Sequence, residues 1–510
     1  MTRNILSLLG LVALLPSAAS AQFSFVEVTA ELGLEFPLAS SPGPGSAVAD
    51  YNGDGWPDII LFGIDNSPPR IYRNNGALIQ AGMAGRWFQD LSHALLPKDC
   101  PPSSMGMMID VDNDGDPDMV FSRLWPDPIT GEANETLCSF HWLENRVSEG
   151  EGFVDSPTNS RAMGADIDRA SGFAAADCDV DGDLDVIFLH NGPNGTQAGG
   201  MGFYLRNEGG SFSDQSAIFG ADITTPNRYF TPVLADFNGD LLPDLHVAID
   251  FYRDFHCHNI GGGVFQDVSQ AVGVNSTNAD MGLAVGDPDN DGDLDMYSTN
   301  INIGVMYIND GTGNFSNQAG QRGVQSWGQQ TLVGWGTAFA DLDLDGDQDL
   351  AFVGYGQGVG RLYENDGTGY FTDQSMGSPT VQMSGHGLIP FDYDRDGDLD
   401  LFIVRKAMAS MAMYENLAAD GGKHWLQVSL VGDDSNSAGV GARIELTLDD
   451  GSQQTRHVMH GTSFRSALDT KVHFGLDDFD TVRRLVVRWP SGQVTELAGV
   501  EADRHLEIAE

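Results

Sequence analysis

A chain of 510 residues carries 73 Asp and Glu against 26 Lys and Arg, a formal net charge of −47. That balance excludes nucleic acid and anionic membrane as partners, because both are bound through a basic footprint. With 41% hydrophobic residues, 9% aromatic residues and 63 Gly, the chain can still bury a core between many turns, so the composition excludes disorder too.

The first element in chain order is an apolar run, Ile5 to Leu15, preceded by Arg3 and followed by the small-residue cleavage pattern Ala19-Ser20-Ala21 before Gln22. The run is shorter than the roughly 20 residues a membrane span takes, and no later stretch is long and apolar enough to span. The expectation is a signal peptide over residues 1–21. The mature protein would then be secreted, or periplasmic or held at the cell surface. Four Cys are too few for a disulfide-built scaffold. In an oxidising compartment Cys100 and Cys138 could pair.

Phe25 to Thr29 is strand-like, and after it one nine-residue pattern recurs seven times. The loops begin at Asp50, Asp110, Asp177, Asp236, Asp287, Asp341 and Asp392, separated by 60, 67, 59, 51, 54 and 51 residues. A small-and-apolar segment precedes each loop and a short apolar run follows it. Next come a segment such as Arg70 to Asn74, a Gly-rich turn and an aromatic-led strand such as Phe371-Thr372-Asp373. Four short strands per repeat, without helical periodicity, predict an all-β fold: a seven-bladed β-propeller over residues 22–417. The strand at Phe25 would complete the seventh blade and close the ring.

Oxygen-bearing side chains stand at positions 1, 3, 5 and 9, and position 7 can add a backbone carbonyl. The first loop offers Asp50, Asn52, Asp54, Trp56 and Asp58. The second offers Asp110, Asp112, Asp114, Asp116 and Asp118, and the third Asp177, Asp179, Asp181, Asp183 and Asp185. The fourth is leaner, with Asp236, Asn238, Asp240, Leu242 and Asp244. The fifth has Asp287, Asp289, Asp291, Asp293 and Asp295, and the sixth Asp341, Asp343, Asp345, Asp347 and Asp349. The seventh has Asp392, Asp394, Asp396, Asp398 and Asp400. Position 6 is Gly in every loop but the fourth, where Leu241 stands.

Six or seven oxygens in a flexible loop suit Ca²⁺, whereas Zn²⁺ selects His or Cys and Mg²⁺ demands a tight octahedron. An EF-hand needs a bidentate Glu at position 12 and a following helix; here position 12 lies inside the apolar runs, so EF-hands are excluded. The loops hold 31 acidic residues, five in each of five loops and three in the first and fourth. Ionised carboxylates about 4 Å apart repel by about 4 kcal/mol at an effective dielectric near 20, so a turn alone would not gather them. Up to seven structural Ca²⁺ ions are expected, with the fourth site weakest.

From about Ala418 the loops stop and longer strands flank the turns Asp449-Asp450-Gly451 and Pro490-Ser491-Gly492. Residues 418–510 therefore read as a small β-domain with Trp489 in its core. The loops and their strands resemble FG-GAP/VCBS repeats, the unit of the integrin-α-type propeller. The tail, with Gly441-Ala442-Arg443, His473-Phe474-Gly475-Leu476 and Arg488-Trp489-Pro490-Ser491-Gly492, resembles the ASPIC/UnbV domain. The combination is similar to the cartilage acidic protein family, which implies an extracellular calcium-binding propeller without an established catalytic activity.

The sequence lacks Gly-x-Ser-x-Gly, His-Glu-x-x-His and a P-loop. Two functions remain open. One is a monomeric extracellular binding or adhesion module for a protein or glycan ligand. The other is a carbohydrate-active lyase or hydrolase, working at the mouth of the propeller channel with non-loop carboxylates such as Asp222 or Asp254.

Overall fold

In the computed structural model the repeats become seven antiparallel sheets. The structure describes residues 23–34, 44–64, 67–82, 85–123, 138–156, 162–163, 170–190, 202–219, 227–327, 332–356, 360–375, 381–405, 411–461 and 463–510. The expected signal peptide and Asp222 lie outside these residues.

The innermost strands of blades one to seven are Gly45–Ala49, Ser103–Ile109, Ala170–Ala176, Tyr229–Ala235, Leu283–Gly286, Leu332–Ala340 and Gly387–Phe391. Each leads through an acidic loop into a second strand that begins at the loop's ninth residue, as in Asp58–Phe62 and Asp400–Val404. The second strands are buried on both faces, which is why they read as continuous apolar runs such as Ile59-Ile60-Leu61-Phe62. The short outer strands, such as Phe371–Asp373, bury only their leading aromatic. Each innermost strand packs against its neighbours on either side, the first against the seventh included. The ring closes as expected: Phe25–Glu27 pairs with the third strand of blade seven, Phe25 opposite Asn416 and Glu27 opposite Tyr414.

The tail forms two further sheets. His424–Val431 lies between Val472–Asp477 and Arg504–Ala509, and a four-stranded sheet runs Gln453–His457, Arg443–Thr447, Thr481–Arg488, Val494–Glu501. Trp489 is fully buried, its indole N–H donating to Thr495 Oγ1 at 3.0 Å. The burial of that ring anchors the domain.

One tail segment enters the ring. His460 bridges Ala175 of blade three, Ser463 N–H donates to Leu283 O at 2.9 Å, and Ser466–Ala467 pairs in parallel with Ser46–Ala47 of blade one. Phe464, 4% exposed, packs on Phe230 of blade four and Trp335 of blade six. A segment that touches the innermost strands of five blades lies on the propeller axis, so the chain fills its own central channel.

Of the suggested Cys100–Cys138 pair, the Cys138 side chain lies outside the described residues. Cys100 has a free, buried thiol whose Sγ faces the Pro101 carbonyl at 3.8 Å, and burial pushes its pKa up to about 12.

Candidate metal centres

Each acidic loop is folded by its own carboxylates. The position 1 side chain receives the N–H of position 6: Asp50 from Gly55 at 2.7 Å, Asp177 from Gly182 at 2.9 Å, Asp236 from Leu241 at 2.8 Å. The position 5 side chain receives the N–H of position 7 in all seven loops, from Asp54 with Trp56 at 3.1 Å to Asp240 with Leu242 at 2.9 Å. Position 9, at most 1% exposed in every loop, closes the turn onto the second strand.

Those bonds bring the carboxylates together. Ligand oxygens of Asp110, Asp112 and Asp118 lie within 4.8 Å of one another, as do those of Asp177, Asp179 and Asp181. The same holds for Asp287, Asp289 and Asp291, for Asp341, Asp343 and Asp349, and for Asp392, Asp394 and Asp400. The first and fourth loops carry an amide, Asn52 or Asn238, at position 3 beside their three carboxylates. Asn52 donates from Nδ2 to Asp58 at 3.0 Å, which leaves its oxygen for a cation.

Buried oxygens without hydrogen-bond partners face these clusters: Oδ1 of Asp112, Asp289, Asp341 and Asp392, and Oδ2 of Asp295. Position 7 contributes more than its carbonyl, because Oδ1 of Asp116, Asp293, Asp347 and Asp398 is also buried without a partner. Burial first, and neighbouring carboxylates second, push Asp116 and Asp293 up to about 7. Asp118, Asp185 and Asp244 rise to about 8, again chiefly through burial. Orphaned hard oxygens with proton affinities this high fit a divalent hard cation. Bound Ca²⁺ would supply the positive charge, and positions 1, 3, 5, 7 and 9 would hold it.

The left-handed turn is more widespread than the glycines imply. Leu241 takes φ 71°, in the same region as the position 6 glycines, so the fourth loop keeps the common turn. Position 4 is left-handed in every loop too, through Gly53 and Gly239 in two and through Asn113, Val180, Asn290, Leu344 and Arg395 in the rest. Val180, β-branched at φ 60°, is the most strained of these. Only the first loop has Gly at both positions.

The FG-GAP-like repeat matches residues 50–121, 177–247, 236–298, 289–352 and 341–403, together more than half of the chain. The chain belongs to the FG-GAP-like repeat family. The ASPIC and UnbV domain matches residues 432–510. Cartilage acidic protein 1 of Xenopus tropicalis is 25% identical over 344 residues, covering 62% of this chain and 51% of the frog protein. The mouse protein of that name is 27% identical over 195 residues, 37% of this chain and 29% of its own length. The chain thus matches about half the length of the frog relative and under a third of the mouse one. Among solved structures it is similar to an Agrocybe aegerita lectin that recognises non-reducing terminal N-acetylglucosamine, 19% identical, covering 74% of this chain and 94% of the lectin, with TM-score 0.44. It is also similar to a Xanthomonas campestris xyloglucanase, 12% identical over 75% of this chain and 52% of the enzyme, with TM-score 0.44. Likenesses this loose transfer no chemistry.

The FG-GAP loops of this chain are clipped to one another by seven buried asparagines at the ends of the third strands: Asn74, Asn145, Asn207, Asn259, Asn309, Asn365 and Asn416. Each gives its backbone N–H to the position 9 carboxylate of its own loop, as Asn309 does to Asp295 at 2.8 Å. Each side-chain amide then donates to the position 2 carbonyl of the preceding blade's loop. Asn309 reaches Phe237 at 2.8 Å, Asn416 reaches Leu342 at 2.8 Å, and Asn74 crosses the ring closure to Tyr393 at 2.8 Å. The recurring Asn was visible in the sequence, but its partner was not.

The ASPIC and UnbV domain sits on the loop face. Gly475 N–H donates to Asp341 Oδ2 at 2.9 Å, Asp477 N–H to Leu344 O at 2.8 Å, and His473 Nε2 lies 2.8 Å from Gly397 O. Ser437 bonds the Asp110 carboxylate through its hydroxyl and Asn113 Oδ1 through its N–H at 3.2 Å. Arg456, 6% exposed, stands among Asp341, Asp287 and Asp347, and Lys471 stands beside Asp469 and Asp50. A cavity of about 140 Å³ remains between domain and loops, lined by Asp287, Asp341, Asp392, Arg456 and Lys471 among others.

Proposed function

We propose that this chain is an exported, calcium-stabilised scaffold that binds an extracellular protein or glycan, with no chemistry of its own. The observation that carries this reading is the filled axis: the tail domain covers the loop-face mouth and Phe464 occupies the channel where a propeller enzyme would hold its substrate. Asp254, one of the non-loop carboxylates the sequence offered, is fully buried and pushed well up by burial and by Asp280, itself fully buried. Neither carboxylate is placed to meet a polymer. Similarity to a protein named for cartilage supports an extracellular setting.

The surface assigned to the ligand is the turn after the second strand of blade four, at the strand end remote from the loops. Phe251 and Tyr252 are 64% and 58% exposed there, and Phe251 is held at φ 57°. Its N–H donates to Asn278 O at 2.9 Å, and Arg228 pairs with Asp250 at 3.1 Å, so the aromatic tip is presented rigidly. Strain kept in an exposed bulky residue is a mark of use. A glycan and matrix-protein array with calcium tests the reading, run beside reducing-end and unsaturated-product assays on the same polysaccharides. Binding that Phe251→Ala and Tyr252→Ala weaken, without product release, is the expected result. Turnover of any polysaccharide would overturn it.

A further inference from the structure

Blade four differs from the other six at one position in its core. The residue two after the loop's last Asp lies opposite a residue on the third strand. The pairs are Ile60 with Ile71, Val120 with Trp142, Ile187 with Tyr204, Tyr297 with Met306, Ala351 with Leu362, and Phe402 with Met413. In blade four the pair is His246 with His256. Both are 0% exposed, and none of their four ring nitrogens has a hydrogen-bond partner among the described residues. A packed interblade layer of aliphatic and aromatic neighbours, Phe237 and Phe315 among them, surrounds them. Four unsatisfied polar atoms in a dry core are costly unless something satisfies them.

The geometry points to a metal ion. The ring centres of His246 and His256 are 5.6 Å apart. Two imidazoles on one ion, at about 2.0–2.1 Å per bond to nitrogen, bring their ring centres to about 5–6 Å. His258 continues the row, its ring centre 5.8 Å from that of His256 and its Nε2 also without a partner. It is half-buried and lies where Gly313 leaves room: a β-carbon on Gly313 would stand 3.3 Å from His258 Nε2. The row therefore runs from the surface to the core.

We propose that His246 and His256 bind one Cu⁺ ion, which two imidazoles can hold without further ligands, admitted past His258. Nitrogen donors of this kind reject Ca²⁺ as firmly as the carboxylate loops favour it, so one propeller sorts two classes of cation by donor atom. The site is independent of whatever ligand the outer surface takes.

The test uses untagged full-length protein saturated with Ca²⁺, dialysed against Zn²⁺ or, under reducing conditions, Cu⁺, with metal content and X-ray absorption as readouts. One ion per chain with imidazole scattering is expected. The double variant His246→Ile/His256→Ile reproduces the Ile60–Ile71 pair of blade one, so it should fold, which melting in Ca²⁺ checks. It should lose the ion with an affinity drop of at least about a hundredfold, since outer-shell changes alone cost about 10–100-fold. If the double variant folds poorly, His256→Phe, matching the aromatics of blades two and three, serves the same purpose. Failure of Cu⁺ to bind the wild type, or binding of Zn²⁺ in preference to it, overturns the proposal. So does an ion that the folded variant retains, or one coordinated by oxygen alone.

Discussion

The ring and the tail domain solve the problem of closure in opposite ways. The tail pairs many of its charged groups with one another: Arg484 meets Glu496 at 2.7 Å, Arg488 meets Glu445 at 3.0 Å, and the Glu510 carboxylate takes the N–H groups of Asp433, Asp434 and Ser435 at 2.8–3.0 Å. The loop face of the ring gathers carboxylates whose buried oxygens have no partner among the described residues. One region pairs its charges, while the other leaves donor oxygens that cations could complete. Half-complete clusters of like charge are a device for making a fold conditional on its surroundings.

Calcium removal should separate the two regions most clearly. A ligand that binds only the folded state adds about 2.7 kcal/mol per site at a hundredfold excess over Kd, which over several loops rivals the whole stability of a domain. Exhaustive chelation should lower the melting temperature of the ring by tens of degrees, with recovery in Ca²⁺ and poor recovery in Mg²⁺. An unchanged calorimetric trace would contradict the calcium assignment.

Trp489→Ala probes the other side. It removes a fully buried ring and should cost about 3–5 kcal/mol, by the same amount in Ca²⁺ and in chelator. A loss that depends on calcium would show that the two regions do not stand apart energetically.

Acidity should affect the metal-free ring in an unusual direction. Asp118, Asp185 and Asp244 are raised to about 8 in the folded state, from an ordinary carboxyl value of 3.8. Between about pH 4 and 8 the folded chain therefore holds more protons than the unfolded chain, and stability falls as pH rises through that window. With Ca²⁺ bound the carboxylates are ionised in the fold and the fall should vanish or reverse. Melting at pH 4.5, 6 and 8, with and without Ca²⁺, measures the sign.

Asn309→Ala tests the clips. The backbone N–H to Asp295 remains, but the bonds to Phe237 O at 2.8 Å and Leu294 O at 3.2 Å are lost. Leaving these buried acceptors unpaired should cost about 1–3 kcal/mol. Because Phe237 belongs to the preceding loop, calcium affinity should drop at the fourth site as well as the fifth. Site-resolved anomalous occupancy would show whether it does.

The smallest effect separates backbone strain from charge. The fourth loop has three carboxylates and Leu241 at φ 71°, and the third has five carboxylates and Val180 at φ 60°. Leu241→Gly and Val180→Gly should each tighten their own site by about 1 kcal/mol. The fourth site should empty first in a calcium titration, because it shares the low charge of the first loop and adds at Leu241 a strain that Gly55 spares the first.

Much of the molecule was written locally. The number of blades, the order of four strands, the closing strand at Phe25 and the acidic loops all follow from patterns nine to sixty residues long, because alternation, turn chemistry and clustered carboxylates are properties of near neighbours. The strain at position 4 escaped notice because Val180 and Leu344 are poor left-handed residues, and only the demands of the loop put them there. The side-chain oxygens of Asp116 and Asp293 point into the clusters, although the sequence required only carbonyls at those positions.

Three features were decided by tertiary structure alone. The asparagine clips end on backbone carbonyls 72 to 319 residues away, and a carbonyl is the same in every residue, so no side-chain pattern marks it. The filled axis depends on Phe464 meeting Phe230 and Trp335, three ordinary apolar residues until the ring places them together. His246 and His256 became a pair only when adjacent strands set them opposite each other in a dry layer. Sequence determined which groups seek oxygen ligands and which alternate into strands, since those preferences belong to single residues and their neighbours. The closed ring determined which distant groups share a low-dielectric space, and that sharing is what turns a polar side chain into a clip, a plug or a ligand.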